Sequence, residues 1–134
     1  MSGRDDELAV RALHDGFCAG FAQRDAEAVL DTLADTSELT LVTSEAPVLR
    51  GTNEVGHFLE RYVAGATTYS WAWQSQEVFV SGAFAWLLAR GTETAASETE
   101  RHENEYRMTG VAQKANERWR FLQVHGSSPH ELHQ

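Results

Sequence analysis

One cysteine, few basic residues and no long apolar run characterise this sequence, and each shortage excludes a class of protein. Cys18 is the only cysteine among 134 residues, so no internal disulfide can form and nothing indicates an oxidising compartment. No apolar stretch approaches the roughly 20 residues that span a bilayer. The polar, acidic start at Met1–Glu7 differs from a secretion signal. We therefore expect a soluble, cytoplasmic protein.

Basic residues are scarce relative to acidic ones. The chain has 11 lysines and arginines against 20 aspartates and glutamates, which gives a net charge of −9. Such a surface repels nucleic-acid backbones and anionic lipids, so we expect neither nucleic acid nor membrane as a partner. The sequence also lacks a phosphate-binding loop, a dinucleotide fingerprint and a nucleophile elbow. His130 and His133 have no further ligands at metal-binding spacing, so we predict no metal and no cofactor.

The first half of the chain predicts three helices. From residue 5 to residue 23, apolar side chains recur every three or four positions, and His14 and Phe17 belong to this stripe. Asp25 suits the N-cap of a short second helix, and Thr52 suits that of a third helix ending at Gly65.

The second half predicts antiparallel strands. Tyr69, Trp71 and Trp73 occupy every second position, which is a strong strand pattern. Strands are predicted over residues 39–43, 67–80, 84–94, 103–113 and 118–126, and a tail over 127–134. Helices followed by such strands indicate an α+β fold with the helices on one side of a curved sheet. The length fits a single domain, residues 1–134.

The order of these elements, together with four segments, resembles the NTF2-like superfamily. The segments are Leu49–Gly51, Val80–Trp86, Tyr106–Val111 and Arg118–Pro129. The likeness is greatest to the SnoaL-like branch, which is related to the association domain of calcium/calmodulin-dependent kinase II. It implies a cystatin-like cone of three N-terminal helices on a curved antiparallel sheet, with a ligand pocket between them and a homodimer packed through the sheet. It implies no particular reaction, because the fold hosts many.

His125 is the candidate catalytic residue. Strict alternation along the last strand puts Gln123 and His125 on one face with Phe121, and we expect this face to line the pocket. A histidine in that position could act as an acid or base near neutral pH. The alternative is a hydrogen-bonded structural histidine near the sheet edge.

Further candidate ligand-binding residues lie on the two preceding strands. Arg107 and Thr109 share one face, and Arg90 joins them from the strand before. If they point inward, they would hold a ligand carboxylate or carbonyl. Alternatively, Arg107 pairs with a neighbouring glutamate at the surface, where such a pair contributes about 0–1 kcal/mol. Trp86 would form a pocket wall or, alternatively, part of the core or an interface.

Two residues of the first helix complete the candidate set. His14 is either a core histidine or a cap on the pocket opposite His125. The resemblance places Phe17 where ketosteroid isomerases of this superfamily carry a tyrosine, Leu41 near their catalytic base, and residues 107–109 around their second aspartate. None of these roles is filled, so we do not expect that chemistry.

Two functions remain open. One is a small-molecule-binding protein, or an enzyme in which His125 moves a proton on a small carbonyl or carboxylate compound while Arg107 holds an oxygen. The other is a non-catalytic association module that dimerises through the outer face of the sheet, where we expect Tyr106, Met108 and Val124. A cavity of about 300 Å³ or more with convergent polar groups would favour the first.

Overall fold

The computed structural model describes residues 3–43 and 47–129, and within them it contains three helices and six strands. The helices are α1 (Gly3–Ala22), α2 (Ala26–Asp31) and α3 (Gly51–Ala64). The strands are β1 (Thr40–Val42), β2 (Leu49–Arg50), β3 (Thr68–Ser81), β4 (Phe84–Ala96), β5 (Arg101–Ala115) and β6 (Arg118–Ser127). No helix of this part of the chain combines the length and apolar character of a membrane span. Residues 130–134, with His130 and His133 of the predicted tail, lie outside the described residues.

The six strands form one sheet in the order β2-β1-β6-β5-β4-β3. Only β1 and β6 pair in parallel, and every other neighbouring pair is antiparallel. The helices cover one side of the sheet, which we call the concave face, and leave the opposite, convex face uncovered in the single chain. The predicted α+β layout is therefore confirmed.

Helix α1 packs its predicted apolar stripe against the concave face. His14, Phe17 and Phe21 are all buried on this stripe, as the spacing predicts. Gly20 permits the close approach of α2, because a Cβ at that position would come within 2.6 Å of the Val29 Cγ2 atom. The helix pair therefore forms a tight layer above the sheet.

The two predicted N-caps have different outcomes. The Asp25 Oδ1 atom accepts a hydrogen bond of 3.1 Å from the Ala28 backbone N–H, which confirms the cap of α2. The predicted cap at Thr52 is wrong. Helix α3 begins at Gly51, so Thr52 already lies in its first turn, and its hydroxyl donates to Asp35 Oδ1 at 2.9 Å instead.

An extra residue in β3 changes which of its side chains face the helices. Trp73 pairs with Gly91 on β4. The next pair is Ser75 with Arg90, so Gln74 is left over as a bulge. Because side chains alternate with a period of two, one extra residue exchanges the two faces of a strand. The odd-numbered residues of β3 therefore face the helices before the bulge, and the even-numbered ones after it.

A second extra residue has the same effect in β6. Gln123 pairs with Val111 of β5, whereas Phe121 pairs with the adjacent Ala112, which leaves Leu122 as the extra residue. Phe121 is fully buried among the helices, and Val124 on the other side of the bulge is buried as well. The odd-numbered residues of β6 therefore face the helices before Leu122, and the even-numbered residues face them after it.

Candidate ligand pocket

A cavity of about 370 Å³ lies between the concave face and helices α1 and α3. Its helical lining consists of Phe17, Phe21, Phe58, Arg61 and Tyr62. Its sheet lining consists of Leu41, Tyr69, Trp71, Glu93, Tyr106, Met108, Val124 and Gly126, and Val42, Thr43 and Pro47 complete it. The volume lies within the range of small-molecule sites, which begins at roughly 300 Å³.

Seven of the sixteen lining residues are aromatic. We call them the aromatic wall, and they are Phe17, Phe21, Phe58, Tyr62, Tyr69, Trp71 and Tyr106. The ring centroid of Phe21 lies 5.1 Å from that of Tyr62 and 5.6 Å from that of Trp71. Trp71 in turn lies 6.0 Å from Tyr106. Such separations are typical of favourable aromatic pairs, so these rings form a connected surface.

Among the described residues of the lining, Glu93 supplies a carboxylate beside this wall. Trp71 and Glu93 are direct partners across the β3–β4 ladder, so both side chains point to the same face. The Trp71 indole Nε1–H donates a hydrogen bond of 3.0 Å to Glu93 Oε2. The carboxylate is therefore held in a defined position at the cavity wall.

Tyr62 links α3 to both neighbouring layers. Its hydroxyl donates to the Phe21 carbonyl at 2.7 Å and accepts from the Tyr69 backbone N–H at 2.9 Å. Burial is the main cause that raises the pKa of Tyr62, and the negative charge of Glu93 adds to it. This phenol stays neutral and is already engaged on both sides, so its part in the pocket is structural.

Most of the sequence-predicted site residues lie on the convex face. The six in question are exposed, and none of them lines the cavity: Trp86, Arg90, Arg107, Thr109, Gln123 and His125. The ladders do bring them together, since Thr109 pairs with His125 and Arg107 pairs with Arg90. These residues therefore share one face of the sheet, but their side chains do not point inward as predicted.

The error has a different cause on each strand. On β6, the bulge at Leu122 separates Phe121 from His125, so strict alternation fails. On β4, the alternation is correct but the wrong face was expected to be concave. Ala85, Leu87 and Ala89 are the buried residues of β4, so the odd-numbered residues form the face that the helices cover. Trp86 consequently points outward and is 48% exposed.

The same inversion applies to the residues predicted for an outer dimer surface. Tyr106, Met108 and Val124 are buried on the concave face and line the cavity. A glycine makes room for the first of them, because a Cβ on Gly126 would come within 2.8 Å of the Tyr106 Cζ atom. These three residues therefore belong to the pocket.

The two predicted residues of α1 do lie on the concave side. Phe17 lines the cavity, as expected for a ligand-binding residue. His14 is fully buried, with Nδ1 2.8 Å from Gln76 Nε2 and Nε2 3.2 Å from Met108 Sδ. Because the Gln76 amide nitrogen can only donate, Nδ1 is the acceptor and Nε2 carries the proton. Burial lowers the pKa of His14 to about 4, so it is a neutral core histidine rather than a cap on the pocket.

The positions that the resemblance compares with catalytic residues all meet at the cavity. Phe17 and Leu41 line it, and so does Met108 from the segment 107–109. None of these side chains titrates or donates a strong hydrogen bond. Among residues 3–43 and 47–129, no three histidine, cysteine, aspartate or glutamate side chains are grouped closely enough to hold a metal ion.

Glu93 and Tyr69 are among the pocket residues that the sequence did not assign to a site. The alternation of Tyr69 and Trp71 does predict one aromatic face on β3. The missing information is the register with β4, because only the pairing of Trp71 with Glu93 places a carboxylate on that face. Gly91 accommodates the bulge of β3, because a Cβ at that position would come within 2.8 Å of the Trp73 Cα atom.

Comparison with known proteins identifies the fold and one family model. The model of the SnoaL-like domain matches residues 10–131. Among curated proteins, no sequence matches the chain significantly.

Several solved structures share the architecture at low sequence identity. A proposed dehydratase of the NTF2-like family from Streptomyces avermitilis is 16% identical, with a TM-score of 0.87 over 97% of this chain and 100% of that one. An NTF2-like superfamily protein from Salmonella enterica is 15% identical, with a TM-score of 0.86 over 97% and 95%. A proposed calcium/calmodulin-dependent kinase II association domain from Thiobacillus denitrificans is 17% identical, with a TM-score of 0.74 over 90% and 94%. These likenesses show a shared fold.

Proposed function

Because the chain belongs to the SnoaL-like domain family, we propose that its cavity binds a small, largely apolar molecule that carries a polar group. The observation that carries this proposal is the aromatic wall with the Glu93 carboxylate fixed beside it by Trp71. Pockets of this kind bind through apolar and aromatic contact, and a few fixed polar groups orient the ligand. The cavity offers both.

The geometry favours binding over histidine-driven catalysis. The His125 side chain is exposed on the convex face and does not line the cavity. His14 is fully buried, and both its ring nitrogens contact protein groups. A general acid or base must come within hydrogen-bond reach of the group that it protonates or deprotonates. We therefore assign the pocket a ligand and no reaction.

A matched pair of threonine substitutions tests which face binds. Thr43 lines the cavity, whereas Thr109 is exposed on the convex face. We expect Thr43→Trp to raise the dissociation constant of the neutral dye N-phenyl-1-naphthylamine at least about tenfold, because the indole occupies space that the ligand needs, a loss of about 1.4 kcal/mol. Thr109→Trp should leave the dissociation constant within about twofold of wild type. Fluorescence titration measures both.

The opposite pattern would contradict the proposal. If Thr109→Trp abolished dye binding while Thr43→Trp preserved it, the ligand site would lie on the convex face among the sequence-predicted residues. Thermal unfolding of both variants tests whether each remains folded. Failure of the folded wild-type protein to bind the dye or other small aromatic compounds would count against a ligand pocket altogether.

The convex face favours a second, compatible role as a homodimer surface. Phe79 and Trp86 are 46% and 48% exposed there, and their rings stack with centroids 5.9 Å apart and planes inclined by 19°. Val111 is the next cross-strand partner of Trp86 and extends this apolar row. Exposed contiguous apolar side chains mark protein interfaces. We infer that a second copy of the chain covers this row.

Charge introduced into the row should weaken the dimer. We expect Trp86→Glu to raise the dimer dissociation constant about 100-fold, because central interface tryptophans contribute most of the binding energy. Leu8→Glu is the control, since Leu8 is 53% exposed on α1, away from the sheet. Sedimentation velocity at micromolar concentrations gives both constants. A wild-type chain that sediments as a monomer, or an equal effect of the two variants, would argue against this surface.

A further inference from the structure

We propose that the ligand of the pocket is a cation, specifically an organic ammonium group attached to an apolar body. This inference rests on the proposed function, because it assigns a charge to the molecule that the cavity holds. Its basis is the combination of one fixed carboxylate with a wall of inclined aromatic rings. Neither feature alone would indicate a cation.

The carboxylate provides the first step of the argument. Glu93 Oε2 accepts the Trp71 indole N–H at 3.0 Å, and Glu93 lines the cavity. That bond holds the carboxylate in place. Its charge reaches the cavity, because it contributes to the raised pKa of Tyr62. A positively charged group in the cavity would be attracted to it.

The aromatic wall provides the second step. The planes of neighbouring rings are inclined by 54° between Phe21 and Tyr62, 82° between Phe21 and Trp71, and 42° between Trp71 and Tyr106. Tyr62 and Tyr69 are stacked, with planes inclined by 27°, but the other inclinations mean that the rings lining the cavity do not all lie in one flat stack. The faces of aromatic rings attract cations, tryptophan most strongly, and cages of such rings bind quaternary ammonium groups.

The net charge of the chain favours the same ligand, because it is −9. A negative field raises the local concentration of cations and steers them to the site. Arg61 is the opposing charge in the lining, but its side chain is exposed in the last turn of α3. Water screens its charge more than that of Glu93, which is partly buried.

Three probes of similar shape test the charge directly. Benzyltrimethylammonium is a cation, neopentylbenzene is its neutral isostere, and phenylacetate is an anion with the same ring. We expect isothermal titration calorimetry of the wild-type protein to give about tenfold tighter binding of the cation than of the neutral compound. Phenylacetate should bind most weakly. Tighter binding of phenylacetate would show that Arg61 dominates and would overturn the proposal.

Two glutamate variants separate a local contact from the overall charge. Glu93→Gln keeps the shape of the side chain and an oxygen that accepts from Trp71, but it removes the charge. Glu105→Gln removes the same charge from an exposed residue next to Tyr106, outside the lining. We expect Glu93→Gln to weaken binding of the cation about tenfold and to leave the neutral compound unchanged. Glu105→Gln should change neither by more than about twofold.

The possible failures are distinguishable. If the neutral compound binds and the cation has no advantage, the ammonium proposal is wrong and the pocket remains. The same conclusion holds if the two glutamate variants weaken the cation equally. If neither the three probes nor N-phenyl-1-naphthylamine binds to the folded wild-type protein, the proposed function fails together with this inference. If only the dye binds, this inference fails and the proposed function remains. The wild-type comparison needs no variant, so it remains decisive even if Glu93→Gln does not fold.

Discussion

Replacement of Phe121 by alanine is expected to lower the free energy of unfolding by about 3–5 kcal/mol. The ring is fully buried, and its edge contacts Phe17 and His14 at centroid distances of 6.0 and 6.3 Å. The backbone around it is fixed, because its N–H donates to the Thr32 carbonyl and its carbonyl accepts from the Ala34 N–H, both at 2.8 Å. These bonds hold the backbone in place, so we expect the cost to include both the lost burial of the ring and the cavity that it leaves.

Phe84→Ala is the matched control for this prediction. Phe84 is 46% exposed on β4, so the same substitution there should cost less than about 1 kcal/mol. Urea unfolding of the wild type and both variants gives the three free energies, and equal slopes would show that the unfolded states are comparable. A cost for Phe121 as small as that for Phe84 would mean that Phe121 does not face the helices. The bulge at Leu122 would then be misplaced, and with it the assignment of faces along β6.

The helices and strands could be predicted from the sequence because each has a regular period. The stripe that contains His14 and Phe17 specifies α1 and its buried side, since only one side of a helix carries the apolar residues. Asp25 specifies the start of α2 for an equally local reason, namely one side-chain oxygen that reaches a nearby N–H. Both inferences need residues that are close in the chain. The family followed from the order of such elements.

The faces of the sheet could not be predicted in the same way. Alternation shows which residues share a face, but the side that the helices cover depends on packing with distant segments. On β6, Leu122 reverses the alternation, and nothing in the local sequence marks it as a bulge. The prediction therefore inverted the sheet, with His125 expected in the pocket and Tyr106 expected outside it. Glu93 remained unassigned because its role depends on its cross-strand partner, Trp71.

Acidification should destabilise the protein through His14 more than through any ordinary surface histidine. Burial lowers the pKa of His14 from 6.5 to about 4, and the charge of Asp15 opposes this only in part. Between these two pH values the unfolded chain binds a proton on the imidazole that the folded chain does not bind. Stability from this group is therefore fully present above about pH 6.5 and is lost as the pH falls towards 4. The total loss is about 3 kcal/mol, from about 1.4 kcal/mol for each pH unit.

The variant His14→Asn isolates this contribution. The asparagine Oδ1 can accept from the Gln76 amide much as Nδ1 does, but the side chain does not titrate. We expect the variant to be less stable than wild type at pH 7, because the ring also packs 5.2 Å from Trp73. As the pH falls from 6.5 to 4, the difference between the unfolding free energies of the wild type and the variant should narrow by about 3 kcal/mol. Urea unfolding at each pH gives a curve of unfolding free energy against pH for each protein. Carboxylates and the other histidines titrate in both proteins, so subtraction of one curve from the other cancels their contributions.

Parallel curves across this interval would show that His14 is protonated in the folded protein as readily as in the unfolded chain. That result would place it near water rather than beneath Met108 in the core.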